Sequence, residues 1–279
     1  MPVELTREQE QPTENLPLEE EWTPELPPTD LIFDDGEPLE SNRHRIAMNA
    51  LIEAVTLAYQ GREDYFTGGN MFVYYSVEQA RNRDFKGPDF FVTLNVDGKK
   101  ERQGWVVWQE HGRYPDVIVE LMSPSTAAVD KGKKKLLYEQ TFKTGHYFVY
   151  DPFVPESLQG WKLGQDFRYE AITPDQRGWL WCDSLGLWLG TWSGTILRET
   201  ATWLRFYDAA GNLVKLSFEL AEEERAIAQQ ERERADRAES NLKLEQERGD
   251  RAEERADRAQ ERAEKLAARL KELGIDPDM

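Results

Sequence analysis

Apolar residues recur at helical spacing in Ile46, Met48, Leu51, Ile52, Val55 and Ala58, and Gly61 follows. This pattern predicts a first helix of about five turns. Three β signals come next. Tyr65–Tyr75 is aromatic and β-branched around Gly68-Gly69, and Pro88–Val96 opens with proline and continues through Phe90-Phe91-Val92. Trp105–Trp108 leads to a turn at His111-Gly112 and then to the apolar run Val117–Met122. A Lys-rich helix is predicted from about Asp130 to Phe142, ending near Gly145. Tyr147–Tyr150 reads as a further short strand that stops at Asp151-Pro152. Residues 160–207 hold six of the nine tryptophans, which predicts short antiparallel strands with broad aromatic surfaces. A packed aromatic core is the expectation there, ahead of a ligand-binding aromatic surface.

The pattern changes at residue 216. Ala252, Ala256, Ala259, Ala263, Leu266, Leu270 and Leu273 step by four and three alternately, a heptad seam. The same register reaches back to Leu242, Ala238, Ala235, Ala228 and Ala221, but is interrupted by Glu224, Glu231, Glu245 and Gly249. A long charged helix over 216–273 is predicted, with weak coiled-coil character because alanine buries little surface. Homo-oligomerisation through this helix is the matching expectation, and 274–279 is left as a tail. At the other end, residues 1–39 are rich in proline and glutamate and poor in large apolar groups. They read as a disordered acidic arm.

Charge sharpens this division. The formal net charge is −18, yet residues 1–40 carry 13 acids against one arginine. Residues 221–279 add 18 acids against 13 bases, leaving 22 acids and 21 bases in 41–220. The centre is neutral, so the global charge says little against a nucleic-acid partner, although no strongly basic DNA-binding domain is present. One cysteine, Cys182, excludes a disulfide framework, and no Cys/His cluster offers a zinc site. No apolar run spans a bilayer and the acidic N-terminus lacks a signal-peptide core, so a cytoplasmic protein without membrane contact is expected.

Candidate chemistry gathers in two segments that each bring Pro-Asp to the mouth of an apolar strand: Gly87-Pro-Asp89-Phe-Phe-Val and Tyr114-Pro-Asp116-Val-Ile-Val-Glu120-Leu-Met-Ser-Pro-Ser-Thr126. Strand alternation puts Asp116, Ile118 and Glu120 on one face and Val117, Val119 and Leu121 on the other. A carboxylate inside such a run needs a partner, a metal or a wet cleft, because an unpaired buried charge is costly. Downstream, Asp130, Lys134 and Tyr138 share one helix face. Asp130–Lys134 is equally readable as an ordinary helix pair, and Lys131, Lys133 and Lys135 as a solvated face. His44 and His111 are minor acid–base candidates.

Together with Asp-x-x-x-Lys-x-x-x-Tyr and Gly-His-Tyr-Phe-Val-Tyr-Asp-Pro, these motifs resemble the Uma-two family of restriction-endonuclease-like proteins, within the PD-(D/E)xK nuclease superfamily. The resemblance covers roughly Glu40 to Trp203. It implies an α/β fold over 40–215 with a mixed central sheet flanked by helices, and a metal-dependent endonuclease acting on DNA. Asp89 and Glu120 would be the metal-binding acids, with Glu40 and Asp116 as further acids, and Mg²⁺ or Mn²⁺ as cofactor. The superfamily lysine belongs two residues after Glu120, where Met122 stands; Lys134 matches a lysine moved to the following helix. Asp89, Glu120 and Lys134 are therefore the expected catalytic set and should meet in one cleft. The competing expectation is a nuclease-like fold without activity, serving as a binding or assembly module through its C-terminal helix.

Overall fold

The computed structural model describes residues 26–33, 41–84 and 86–272. Residues 1–25 and 34–39 of the expected arm, Glu40 and the tail lie outside these residues, whereas Leu31 and Phe33 of the arm pack against Phe72, Tyr74 and Val106 and so depart from the expected disorder there.

Helix α1 (Asn42–Ala58) starts where Ser41 Oγ accepts the His44 backbone N–H, a side-chain N-cap. Its apolar stripe, Ile46, Ala47, Ala50, Leu51, Ala54 and Val55, is buried. Strand β1 (Tyr65–Gly68) then enters a six-stranded sheet, but β2 (Val73–Tyr74) does not. The single β signal over Tyr65–Tyr75 is thus two strands in two sheets, split at the glycine pair. A Cβ on Gly68 would sit 2.8 Å from the Met71 sulfur and the Phe91 ring, and one on Gly69 would sit 2.7 Å from Met48, so the chain bends where only glycine fits. After the short helix α2 (Val77–Arg81) come β3 (Phe90–Leu94), β4 (Trp105–Val106) and β5 (Val117–Leu121).

A connecting helix, residues 127–142, joins β5 to β6 (His146–Asp151). It alternates single α turns with wider π turns at Asp130–Lys134 and Tyr138–Phe142. Next are β7 (Val154–Leu163), β8 (Tyr169–Ala171), β9 (Leu180–Cys182), β10 (Leu187–Ile196) and β11 (Glu199–Tyr207). The large sheet has the order β1-β3-β5-β6-β7-β8, parallel only between β5 and β6, and is therefore mixed. A helix spanning the gap is the connection that a parallel neighbour requires.

Strand β5 is buried on both faces. Val117, Val119 and Leu121 join α1 and the second sheet, β9-β10-β11, in one core, while Ile118 and Met122 pack with Tyr138, Phe142 and Tyr147 in another. Glu120 shares the parity of that second face, so its carboxylate enters the layer between sheet and connecting helix.

The tryptophan-rich segment is packed, as expected: Trp203 is buried, Trp161 stacks on Tyr147 and Trp179 on Tyr207. Its hairpin is longer than anticipated. β10 and β11 turn at Leu197-Arg198, both at positive φ and neither a glycine, which hides the turn from a reading of the residues.

The C-terminal helix runs Ser217–Glu272, 56 residues, and buries none of them. At about 1.5 Å per residue it extends some 84 Å. Only its root is tied to the core: Glu219 pairs at 2.7 Å with Arg205, which is fully buried, and the Ser217 N–H donates to Glu53. No described helix is long and apolar enough to cross a membrane.

Candidate active site

The side chains that meet at the second face of β5 are Asp89, Glu120, Asp130, Lys134 and Tyr138. Asp89 stands just before β3, whose neighbour in the sheet is β5, and its Oδ2 accepts the Leu121 backbone N–H at 2.7 Å. That bond fixes the Asp89 carboxyl one residue from Glu120. Glu120 is completely buried. Its Oε1 accepts from the Tyr138 hydroxyl at 2.7 Å and its Oε2 from the Lys134 ammonium at 2.9 Å. Lys134 also lies 3.0 Å from Asp130 Oδ1. Asp130 is 1 % exposed, and the ion pair with Lys134 together with a Thr126 hydrogen bond offsets its burial.

The connecting helix delivers three of these groups because of its turns. In a pure α-helix, residues four apart drift about 40° around the axis. The interspersed π turns take up that drift, and Asp130, Lys134, Tyr138 and Phe142 line up toward the sheet. Such turns often mark functional positions in helices. Tyr147 on β6 secures the alignment by donating its hydroxyl to the Asp130 carbonyl at 2.9 Å.

Electrostatics follow from crowding three acids around one base. Burial and the neighbouring Glu120 charge hold the Asp89 carboxyl well above the usual carboxylate range. Burial and Glu120 also raise Asp130. For Lys134, burial works against the charged form, but Glu120, Asp130 and Asp89 outweigh it and the ammonium is held more firmly than usual. It is a fixed positive charge across the working pH range. Burial and Glu120 likewise push the Tyr138 phenol up, which keeps it a neutral donor.

Asp89, Glu120 and Lys134 are thus brought together, while Asp116 is not. It shares a face with Glu120, but four residues along a strand is about 13 Å. Its Oδ2 accepts from the Leu94 N–H at 2.7 Å and from Arg113 at 3.3 Å, so it braces the far end of β5. Glu40 lies outside the described residues. Met122 is buried in the second core cluster, a place without room for a strand-borne lysine. His44 is engaged with Ser41 Oγ and the Met122 carbonyl, and His111 is exposed in a turn at φ 53°. Lys135, expected to be solvated, sits over the Trp161 ring at 4.0 Å. Asp130 and Tyr138 are the site members that the sequence reading left unassigned. Their spacing was visible, but the strand they face was not.

Lys134 also lines a cavity of about 640 Å³ with Tyr75, Lys86, Lys133 and Leu137. Asp84 shares that lining, and among the described residues Lys134 is the member of the cluster that reaches it.

A mixed-sheet α/β fold thus brings two acids and a lysine into one buried cluster. The family model described as "Uma2: Putative restriction endonuclease" matches residues 13–193, more than half of the chain, and the chain belongs to that family. A crystal structure described as a putative nuclease belonging to DUF820 from Anabaena variabilis ATCC 29413 aligns with 14% identity and a TM-score of 0.38. The alignment covers 57% of this chain and 86% of that one. No curated protein matches the chain.

Proposed function

We propose that the protein is a metal-dependent endonuclease that hydrolyses DNA phosphodiester bonds, with Mg²⁺ or Mn²⁺ at Asp89 and Glu120. The observation that carries this reading is a completely buried Glu120 beside Asp89, with Lys134 on it at 2.9 Å at the edge of an open cavity. Among the described residues no group of three or more His, Cys, Asp or Glu is arranged to hold a metal ion. Two carboxylates nevertheless fit Mg²⁺, which takes one or two protein carboxylates and fills its shell with water and substrate phosphate. When bound, the ion would polarise the phosphoryl group and acidify an attacking water.

The chain's own residues do the rest. Tyr138 fixes the rotamer of Glu120 through Oε1, and the Leu121 N–H fixes Asp89. Lys134 supplies positive charge where the phosphorane forms. Because Glu120, Asp130 and Asp89 hold its proton firmly, Lys134 is assigned here as an electrostatic stabiliser. Lys133, and Lys86 beside its partner Asp84, line the cavity and would attract the phosphate backbone in a salt-dependent way. The proposal includes pairing of two copies through the exposed seam Ala252–Leu270, and action in the cytoplasm.

The test is nicking of supercoiled plasmid by the purified protein with Mg²⁺ or Mn²⁺ against a Glu120→Gln control. Cleavage by the unmutated protein alone supports the endonuclease. Absence of cleavage across several DNA substrates and both ions favours an assembly module built on an inactive nuclease fold, a reading supported by the neutral centre and the long solvated helix.

A further inference from the structure

The one ammonium of the cluster stands on the carboxylate that an incoming cation would need. Glu120 and Asp130 are both out of contact with water, and one ammonium serves them both, at 2.9 and 3.0 Å. Asp130 Oδ1 has no aligned hydrogen bond, so the nearby ammonium is what this oxygen relies on. A divalent ion on Glu120 would therefore meet the Lys134 charge on the same carboxylate. Lys134 is the most accessible member of the trio, with 23% of its side chain exposed, and it lines the cavity with Lys133 and with Lys86, which is paired to Asp84 on the same wall. A lysine carries three donors on a flexible stem, so Nζ can turn toward the cavity while keeping its hold on Asp130.

We infer that Lys134 is the built-in counter-ion of the carboxylate site, so that a divalent cation and a phosphodiester enter as a linked pair. This inference rests on the proposed function. In the free protein the ammonium stands where the cation's charge is needed. A phosphate arriving through the cavity draws the ammonium off Glu120, and the freed carboxylate then accepts the ion. By linkage, the ion must tighten phosphate binding by the same factor. Asp130 is the positioning residue of this arrangement, because it keeps Lys134 at the cleft in both conditions.

The test is Mn²⁺ binding to the full chain, measured by titration calorimetry with and without a short phosphorothioate duplex that resists cleavage. Lys134→Ala should bind Mn²⁺ alone about tenfold more tightly than the unmutated protein, a factor within the usual range of coupling between sites. The duplex should tighten Mn²⁺ binding by about the same factor in the unmutated protein and much less in Lys134→Ala. Lys134→Met, which preserves the stem's packing, should behave alike, and thermal melts of both variants confirm the fold. Equal Mn²⁺ affinity with and without Lys134 overturns the inference, as does coupling that survives in both variants. The double variant Asp89→Asn/Glu120→Gln separates the two levels. If it binds Mn²⁺ as well as the unmutated protein, the metal site itself is misplaced and the proposed function fails. If it loses the ion while Lys134→Ala changes nothing, only the counter-ion inference fails. No Mn²⁺ binding by any of these proteins overturns both.

Discussion

The connecting helix and the C-terminal helix are built from the same kind of sequence and do opposite things. Both place acid and base four residues apart. In the C-terminal helix Glu233–Arg237, Glu247–Arg251, Glu254–Arg258 and Glu261–Lys265 pair at 3.4–3.7 Å with both partners in water. In the connecting helix Asp130–Lys134 pairs at 3.0 Å with the acid buried. The difference lies in what each helix faces. A strand with a buried carboxylate stands opposite Lys134, whereas no described element covers residues 222–272. An i,i+4 ion pair becomes chemistry only when a third charged group and the loss of water make it indispensable.

The sharpest way to break this comparison is to remove one partner of a buried pair at the point where the C-terminal helix begins. Arg205→Ala empties a fully buried site and leaves Glu219, among the described residues, with only the Leu216 N–H, and should destabilise the core by about 2–5 kcal/mol, read by urea unfolding. A loss below 1 kcal/mol would show that burial does not set the value of these pairs.

Asp89→Asn should work the other way. Because the folded protein holds the Asp89 proton to higher pH than the unfolded chain does, stability falls as pH rises from the ordinary carboxylate range through the raised value. Replacing the carboxyl should remove that slope. At neutral pH without metal, the gain should be about 0.5–2 kcal/mol, the usual return from relieving a functional site. Melting curves from pH 4 to 8 check it; a variant less stable at pH 7 contradicts it.

Deleting residues 221–279 keeps the Glu219–Arg205 root and, among the described residues, removes helix that buries none of its side chains. The core's melting temperature should move by no more than about 2 °C, the scale of a sub-kcal/mol change in a domain of this size. Light scattering on the same sample reads the oligomeric state, which should drop to monomer if the seam pairs two copies. The smallest effect belongs to Glu254→Gln, at about 0.5 kcal/mol or less, since an exposed helix pair contributes little. A large melting shift there would mean the helix packs on something.

Much of the site was legible because charge interrupts hydrophobic pattern. Glu120 stands out in Val-Ile-Val-Glu-Leu, and parity alone assigned it to the face opposite Val119 and Leu121, where it is found. Nearness in sequence suggested Asp116 as a further acid of the site, but although it shares the face of Glu120, a period of two reports the face of a strand and not the distance along it. Asp130 and Tyr138 were visible as a stripe, but their role depends on which strand lies opposite and on π turns that no local propensity signals. The fold followed the same logic. Long periodic elements such as α1 and the C-terminal helix were readable, whereas the division of Tyr65–Tyr75 between two sheets depends on close packing at Gly68 and Gly69.

The central claim is that Lys134, held by Glu120 and Asp130, supplies transition-state charge for phosphodiester cleavage. Its most direct test is the single-turnover cleavage rate of Lys134→Ala at saturating DNA and Mg²⁺. Removing one such preorganised donor should lower the rate by about 10²–10³. Saturation, together with the tighter metal binding expected of this variant, excludes a binding defect as the cause. A rate equal to that of the unmutated protein would contradict the account.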